Sequence, residues 1–326
     1  MNILLTGGAG YIGSNVVLHL LDNGHNITVV DDLSTGTKEL IPEKVNFLEC
    51  NINNEKKIGN ILKRSKFDAL MHFAGFIKVE ESTNNPEKYF KNNTENSIKL
   101  FENCYNHNLK NIIFSSTAAT YGNINSNSIT EEQQLNALNP YGESKIKTEN
   151  YLIKNKNRFN YIILRYFNVA GADINLRSGL VSEDPTHLIK IISEVAIGKR
   201  EKIYIYGNDY NTHDGTAIRD YIHVTDLANI HLEITKYLIN NKLSDIFNCG
   251  YGTGYSVKQV IDKANEITNG SIEYNYTARR NGDAENLVAN IEKIHRAINW
   301  KPKYNDLSII IKSAINWEKK LSEKNI

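Results

Sequence analysis

The segment Gly8-Ala9-Gly10-Tyr11-Ile12-Gly13 constrains this chain more than any other. It lies between a short apolar run, residues 3–5, and a stretch with Ile12, Val16, Val17, Leu20 and Leu21 at helical spacing. It therefore reads as the turn from a buried strand into an amphipathic helix. Glycines so spaced let the backbone approach a pyrophosphate, and the helix N-terminus behind them favours negative charge. A second apolar strand, residues 27–30, ends at Asp31, eighteen residues past Gly13. A carboxylate there can accept a hydrogen bond from a ribose 2′-hydroxyl. Asp32, Leu33 and Ser34 follow, with no arginine to pair with an added 2′-phosphate, so NAD rather than NADP is the expected cofactor.

Further strand-like runs at residues 45–48, 69–73, 112–115 and 161–166 alternate with helical patterns. That rhythm implies right-handed βαβ crossovers and a parallel sheet covered on both faces. Beyond about residue 169 the pattern is less regular, punctuated by Gly179, Asp184-Pro185, Gly207 and Gly215. Residues 223–239 read as a helix and 246–249 as a strand returning to the sheet. The expected fold class is α/β, a doubly wound (Rossmann) parallel sheet with a smaller C-terminal substrate domain. Residues 1–168 with about 223–252 are assigned to NAD, and about 169–222 and 253–326 to the substrate.

Charge argues for a small-molecule partner, because 38 basic and 37 acidic residues are scattered without a basic block. A nucleic-acid binder would need clustered Lys and Arg. Cys50, Cys104 and Cys249 form no C-x-x-C pair, so neither a disulfide framework nor a zinc site is supported. His19, His107, His231 and His295 lack metal-ligand spacing, and no metal is expected. The N-terminus has no basic segment followed by a long apolar stretch, and no later run suits a membrane span. A cytoplasmic location is the expectation.

Tyr141-x-x-x-Lys145 follows Pro140, a residue suited to a helix's first turn, so the two side chains lie one turn apart on one face. Ser115-Ser116-Thr117 directly follows the predicted fifth strand and faces the same crevice, as do Asn51 after the third and Phe73-Ala74-Gly75 after the fourth. A phenol of ordinary pKa about 10 needs roughly 4 kcal/mol of help to act as a base near pH 7. Lys145 and an oxidised nicotinamide ring would both supply positive charge for this, while Thr117 could hydrogen-bond the reacting oxygen.

Several longer motifs accompany these residues. They read Thr6-Gly7-Gly8-Ala9-Gly10-Tyr11-Ile12-Gly13-Ser14, His72-Phe73-Ala74-Gly75, Ser115-Ser116-Thr117-Ala118-Ala119-Thr120-Tyr121-Gly122 and Pro140-Tyr141-Gly142-Glu143-Ser144-Lys145. Arg165-Tyr166-Phe167-Asn168, Arg219-Asp220-Tyr221-Ile222-His223-Val224 and Arg279-Arg280-Asn281-Gly282-Asp283 follow. With them the chain resembles the extended short-chain dehydrogenase/reductase superfamily and, over nearly its full length, the UDP-galactose (UDP-glucose) 4-epimerase family within it.

The resemblance implies inversion of the C4 hydroxyl of a UDP-hexose through a 4-keto intermediate, with NAD retained. Tyr141 would be the base, Lys145 would bind the nicotinamide ribose and lower the tyrosine pKa, and Thr117 would assist. Cofactor contacts would come from Gly7, Gly10, Tyr11, Ile12, Asp31, Asn51, Ile52, Phe73, Ala74, Asn93, Tyr141, Lys145 and Tyr166. The UDP-sugar would meet Thr117, Tyr141, Asn168, Leu188, Arg219, Arg280, Asp283 and Leu287, with Tyr204 and Tyr206 near the uracil. A homodimer would form through the helices around residues 93–106 and 141–155.

The chain departs from the family pattern in several places. Thr117 replaces the commoner serine, Asn51 an adenine-contacting aspartate, and Ile77 a cofactor-contacting lysine, with Lys78 one place later. Residues 179–187 form a shorter segment than in many members, with His187 where asparagine is common. Leu287 stands where some members carry a tyrosine that crowds an N-acetyl group, so UDP-GlcNAc and UDP-GalNAc are expected substrates beside UDP-Glc and UDP-Gal. A nucleotide-sugar dehydratase would need Asp-Glu after the threonine, where this chain has Ala118 and Ala119. The same fold would also serve an NADH-releasing dehydrogenase or a catalytically silent NAD-sensing protein. A silent sensor would not need Thr117, Tyr141 and Lys145 together.

Overall fold

A computed structural model describes residues 1–124, 126, 128–280 and 282–324; Asn281 of the last motif lies outside the described residues. The first half alternates β1 (Asn2–Thr6), α1 (Tyr11–Asp22), β2 (Asn26–Asp31), β3 (Asn46–Glu49), α2 (Glu55–Arg64) and β4 (Ala69–His72). Two short helices, α3 (Val79–Asn84) and α4 (Pro86–Tyr89), lead through a π-helical stretch, Phe90–Asn96, into α5 (Ser97–Asn106). Then come β5 (Asn111–Thr117), α6 (Pro140–Lys154) and β6 (Asn160–Tyr166).

The second half runs β7 (Asn168–Ala170), α7 (Leu188–Ala196), β8 (Ile203–Tyr206), β9 (Ile218–His223), α8 (Val224–Asn241), β10 (Asp245–Cys249), β11 (Gly254–Ser256) and α9 (Val257–Thr268). It closes with β12 (Tyr274–Thr277), β13 (Asn286–Leu287), α10 (Glu292–Ala297) and α11 (Leu307–Lys324).

Seven strands form one parallel sheet in the order β10-β6-β5-β4-β1-β2-β3. The order in which strands are added reverses between β1 and β4, which opens a crevice at the strands' carboxyl ends. Alternation along β1 divides the core. Ile3 and Leu5 face Val16, Val17 and Leu20 of α1 and Leu227 to Leu238 side chains of α8, whereas Leu4 faces Ile58 and Leu62 of α2 and Leu100, Phe101 and Cys104 of α5. Both faces are dry, as a parallel sheet requires.

A third core lies under α7, α9 and α11, where Ile189, Ile192, Val260, Ile261, Ile310 and Ile311 meet Ile203 and Ile205 of β8. Here β9 is the centre of a small mixed sheet, parallel to β7 and β13 and antiparallel to β11. Ile294, Ile298 and Trp300 instead join the core of the seven-stranded sheet. One face of α1 forms a seam with residues 171–178. Tyr11 Oη donates to the Gly171 carbonyl at 2.6 Å, Ser14 Oγ meets Ser178 Oγ at 2.6 Å, and Arg177 grips Asp22 in a fork at 2.8 and 2.9 Å. Among the described residues no helix is long and apolar enough to cross a membrane.

Two boundaries differ from the sequence reading. Ser116 and Thr117 belong to β5 itself and pair with Arg165 and Tyr166 of β6, because a short polar end still completes the ladder. β9 interrupts what looked irregular, carrying Arg219 and Asp220 inside a strand.

Candidate active site

The turn after β1 is made by Gly7, at φ +74°, and not by Gly8, where the sequence spacing began. A Cβ on Gly7 would sit 2.5 Å from the Ala74 nitrogen, and one on Gly13 2.1 Å from the Gly7 carbonyl oxygen. A Cβ on Gly8 would lie 2.6 Å from the Val29 side chain. The glycines thus hold β1, the start of α1 and the Phe73-Ala74 segment in direct backbone contact. Gly10 caps α1 without a side-chain bond and no acid occupies the first turn, so Tyr11 and Ile12 begin a helix whose leading amides suit a pyrophosphate.

Asp31 ends β2 with its carboxylate accepting from Ala9 N and Leu33 N, both at 2.9 Å. Burial raises its pKa, and those two amides oppose the shift. Held edge-on, it keeps lone pairs for a ribose hydroxyl. Asn51 donates to Asp32 Oδ2 at 2.6 Å and accepts from Asn53 N, so its amide is already oriented. Ile52 is buried in the core beside α2 and can offer a ligand only its backbone. The residues present therefore fit a dinucleotide, with a glycine cradle, an uncapped helix start and a fixed carboxylate.

Asn93, in the π-helical stretch, is buried and clamps the loop after β4. Its Oδ1 accepts from Phe76 N at 2.9 Å, while Nδ2 donates to the Phe76 carbonyl at 2.9 Å and to Ser144 Oγ at 3.2 Å. Gly75 faces both Asn93 and Lys145, since a Cβ there would lie 3.2 Å from Asn93 Oδ1 and 3.4 Å from Lys145 Nζ. Phe73 packs on His231 at 4.9 Å between ring centroids. Tyr166 brings its hydroxyl to His231 Nε2 at 2.6 Å and is buried near Ser115 and Tyr141.

Tyr141 and Lys145 occupy the first turns of α6, whose start is fixed by Pro140 and by Asn139, which accepts from Gly142 N at 2.9 Å. Burial raises the pKa of the Tyr141 phenol, and a side-chain hydrogen bond with Thr117 works against that. Burial lowers Lys145 to about 8, with Glu149 pulling it back up. Its Nζ donates to the Ser115 carbonyl at 2.9 Å and lies 4.9 Å from the Phe114 ring centroid. One of the three ammonium N–H donors goes to strand β5, and burial is the largest influence on the tyrosine.

The remaining candidates gather in two places. Tyr11, Asn168, His187, Leu188 and Tyr221 line one cavity. In the second, Arg219 of β9 reaches Asp283 at 3.3 Å and Arg280 lies over the Tyr206 ring at 3.6 Å. Tyr204 and Tyr206 alternate with buried Ile203 and Ile205 along β8, so both rings face outward. Leu287 is paired with Arg219 and packs against a cluster containing Ala118, Tyr121 and Phe167, next to Thr117. Ile77 is exposed, and Lys78 pairs with Asp184 at 2.9 Å.

Among the buried carboxylates that sequence reasoning missed, two brace the elements of the site. Asp220 ties β9 to its neighbours by accepting from Tyr251 N, Gly252 N and Ala289 N. Glu149 pairs with Arg165 at 2.7 Å. Its position four residues after Lys145 on one helix was the available signal.

Residues 3–250 match the model of the NAD dependent epimerase/dehydratase family. The UDP-glucose 4-epimerase of Azospirillum brasilense is 42% identical over 323 residues, covering 98% of this chain and 93% of that protein. A UDP-glucose 4-epimerase from Stenotrophomonas maltophila, solved with NAD and formylated UDP-arabinopyranose, superposes with a TM-score of 0.96 at 31% identity over 99% of each chain. The UDP-Glc/GlcNAc 4-epimerase of Campylobacter jejuni gives 0.85 at 42% identity, covering 98% of this chain and 99% of that one. With the glycine turn, the Tyr141 and Lys145 helix and β5 arranged as above, this chain belongs to the NAD dependent epimerase/dehydratase family and, within it, groups with the UDP-glucose 4-epimerases.

Proposed function

We propose that this chain inverts the C4 hydroxyl of UDP-hexoses, interconverting UDP-Glc with UDP-Gal and UDP-GlcNAc with UDP-GalNAc through a 4-keto intermediate. The observation that carries the reading is the convergence at the end of β5, where the Ser115 carbonyl accepts from Lys145 at 2.9 Å and Thr117 offsets the burial of the Tyr141 phenol. Held at the Gly7 turn, Asp31 and Lys145, NAD would supply the redox capacity as a reversible hydride acceptor. Tyr141 accepts the C4 hydroxyl proton and later returns it. Thr117 hydrogen-bonds the sugar oxygen as that proton moves, and Lys145 contributes positive charge one helical turn away.

Inversion requires that the keto sugar turn over between the two transfers, so the sugar must be held loosely and the nucleotide firmly. We assign charge-assisted bonds to the diphosphate to Arg219 and Arg280, with Asp283, Asn168 and Leu188 on the nucleotide sugar and Tyr204 and Tyr206 toward the uracil. Gly7, Gly10, Tyr11, Ile12, Asp31, Asn51, Ile52, Phe73, Ala74 and Tyr166 are assigned to NAD, and Asn93 anchors the loop after β4 beside it. Residues 1–168 with about 223–252 serve the cofactor, and 169–222 with 253–326 the nucleotide sugar. The chain works in the cytoplasm as a homodimer joined through α5 and α6.

Ala118 and Ala119 cannot transfer protons, which disfavours elimination of water from the sugar. The deciding experiment incubates the purified protein with each of the four UDP sugars, without added NAD, and follows the anomeric signals by NMR. Conversion of all four supports retention and the wider substrate set; conversion of none overturns the reading.

A further inference from the structure

We propose that Glu149 is a positioning residue for this reaction: held by Arg165, it fixes the end of β5 against α6 so that Thr117 meets Tyr141 and the Ser115 carbonyl meets Lys145. The proposal rests on the roles given above to Tyr141 and Lys145. Glu149 lies on α6 one turn beyond Lys145 and two beyond Tyr141, and its side chain is fully buried. Its Oε1 accepts from Ser116 Oγ, and the carboxylate accepts from Arg165 Nε and, at 2.7 Å, from Arg165 Nη2.

Ser116 is the residue between Ser115 and Thr117, whose main chain and side chain respectively touch the reacting pair. A carboxylate gripping the middle residue from α6 therefore sets the spacing of both neighbours to that helix. Arg165 carries the hold further, donating from Nη1 to Tyr121 Oη at 3.0 Å and to the Glu131 carbonyl at 3.2 Å. Tyr121 Oη donates in turn to Asn248 Oδ1 at 2.6 Å on β10. Five segments are thus joined through one charge pair, and each polar group in it has a partner.

Stability alone is a weak reason for such a pair, because buried ion pairs are often replaced by apolar side chains without loss of stability. What apolar side chains cannot reproduce is the directional grip on Ser116 and the negative charge near Lys145. The charged and titratable groups facing Glu149 are Arg165 and Tyr161 on β6, Tyr121 after β5, and Lys145 on its own helix. Those near Lys145 are His72 on β4 and Tyr141 on α6. Burial keeps His72 neutral at working pH, with its pKa lowered to about 3. Glu149 is thus the acid that supports the Lys145 ammonium.

The test compares Glu149→Gln, the double variant Glu149→Met with Arg165→Met, and Ser116→Ala. Each is assayed for UDP-hexose conversion across pH, for NAD that co-purifies, and by NMR of carbon-13-labelled lysine to follow Lys145. The double variant is expected to fold and keep NAD, to lose at least about tenfold in kcat with KM little changed, and to lose activity at lower pH than the wild type. Glu149→Gln moves the Lys145 midpoint downward. Ser116→Ala, which removes only the gripped hydroxyl, lowers kcat several-fold, by roughly the cost of a small misplacement, and leaves the pH limb in place.

Wild-type kcat and pH profile in both the double variant and Ser116→Ala would overturn the proposal. If the charged variants do not fold, unchanged kcat in Ser116→Ala overturns it alone. A wild type that converts no UDP-hexose, yet shows the Lys145 shift in Glu149→Gln, would leave Glu149 in place and remove the functional reading instead.

Discussion

An alanine at position 7 would need both a left-handed backbone, costing about 1–2 kcal/mol, and room that the Ala74 nitrogen occupies at 2.5 Å. The turn must open, and with it the approach of the backbone to the cofactor. Gly7→Ala is expected to purify folded with little NAD, as measured by cofactor released on denaturation; a full complement of NAD would contradict this. Leu287 gives the second test at this scale. It sits beside Arg219 in the ladder and packs with Ala118 and Phe167, so a tyrosine there projects toward the end of β5. Leu287→Tyr is expected to keep UDP-Glc turnover and lose UDP-GlcNAc turnover at least about tenfold, as a pocket crowded by a ring rejects added bulk. Equal loss on both sugars would show that the residue does not govern width. Residues at turns and helix starts were legible because local chemistry places them: glycine spacing, Pro140, and Asp31 ending an apolar run. The contacts of Lys145 were not, because the carbonyl it reaches lies thirty residues away on another element.

The helix that carries Tyr141 and Lys145 depends on how it begins. Asn139 accepts from Gly142 N at 2.9 Å in the turn that contains Tyr141. Asn139→Ala removes that acceptor and is expected to cost about 1 kcal/mol of stability, readable in urea unfolding, with a fall in kcat because the first turn frays where the phenol sits. Asn139→Ser should restore most of both. A variant with wild-type kcat despite lost stability would separate the cap from the chemistry. At this scale the parallel strands were legible as continuous apolar runs, since both faces of the sheet are covered. β8 and β9 were not. Ile203-Tyr204-Ile205-Tyr206 alternates over too few residues to stand out, and β9 holds Asp220, a carboxylate that a strand buries only when amides from distant segments meet it.

Across the whole molecule, the buried titratable groups set how stability responds to acid. Burial lowers His72 to about 3 and His223 and His231 to about 4, so the folded state keeps these rings neutral where the unfolded chain protonates them. Each bond network depends on that neutrality. His72 bridges Thr6 and Ser97 at 2.6 and 2.7 Å, and His231 accepts from Tyr166. Their contribution is complete above the ordinary histidine pKa of about 6.5 and is lost as pH falls, at about 1.4 kcal/mol per pH unit for each ring. Asp220 works the other way. Burial raises it to about 6, so between that value and the ordinary carboxylate range the folded state holds a proton the unfolded chain has released, and lowering the pH favours folding. These three rings against Asp220 alone give a net uptake of about two protons on unfolding near pH 5, or roughly 3 kcal/mol lost per pH unit on acidification; Asp31 and Glu131, also raised chiefly by burial, make the slope shallower. His19, His25 and His187, also lowered chiefly by burial, steepen it. Urea unfolding at half-unit steps from pH 7 to 4.5 measures the slope directly, and His231→Gln should make it shallower by about one proton, or about 1.4 kcal/mol per unit. Stability that stays level over this range would mean that the buried imidazoles do not control acid unfolding.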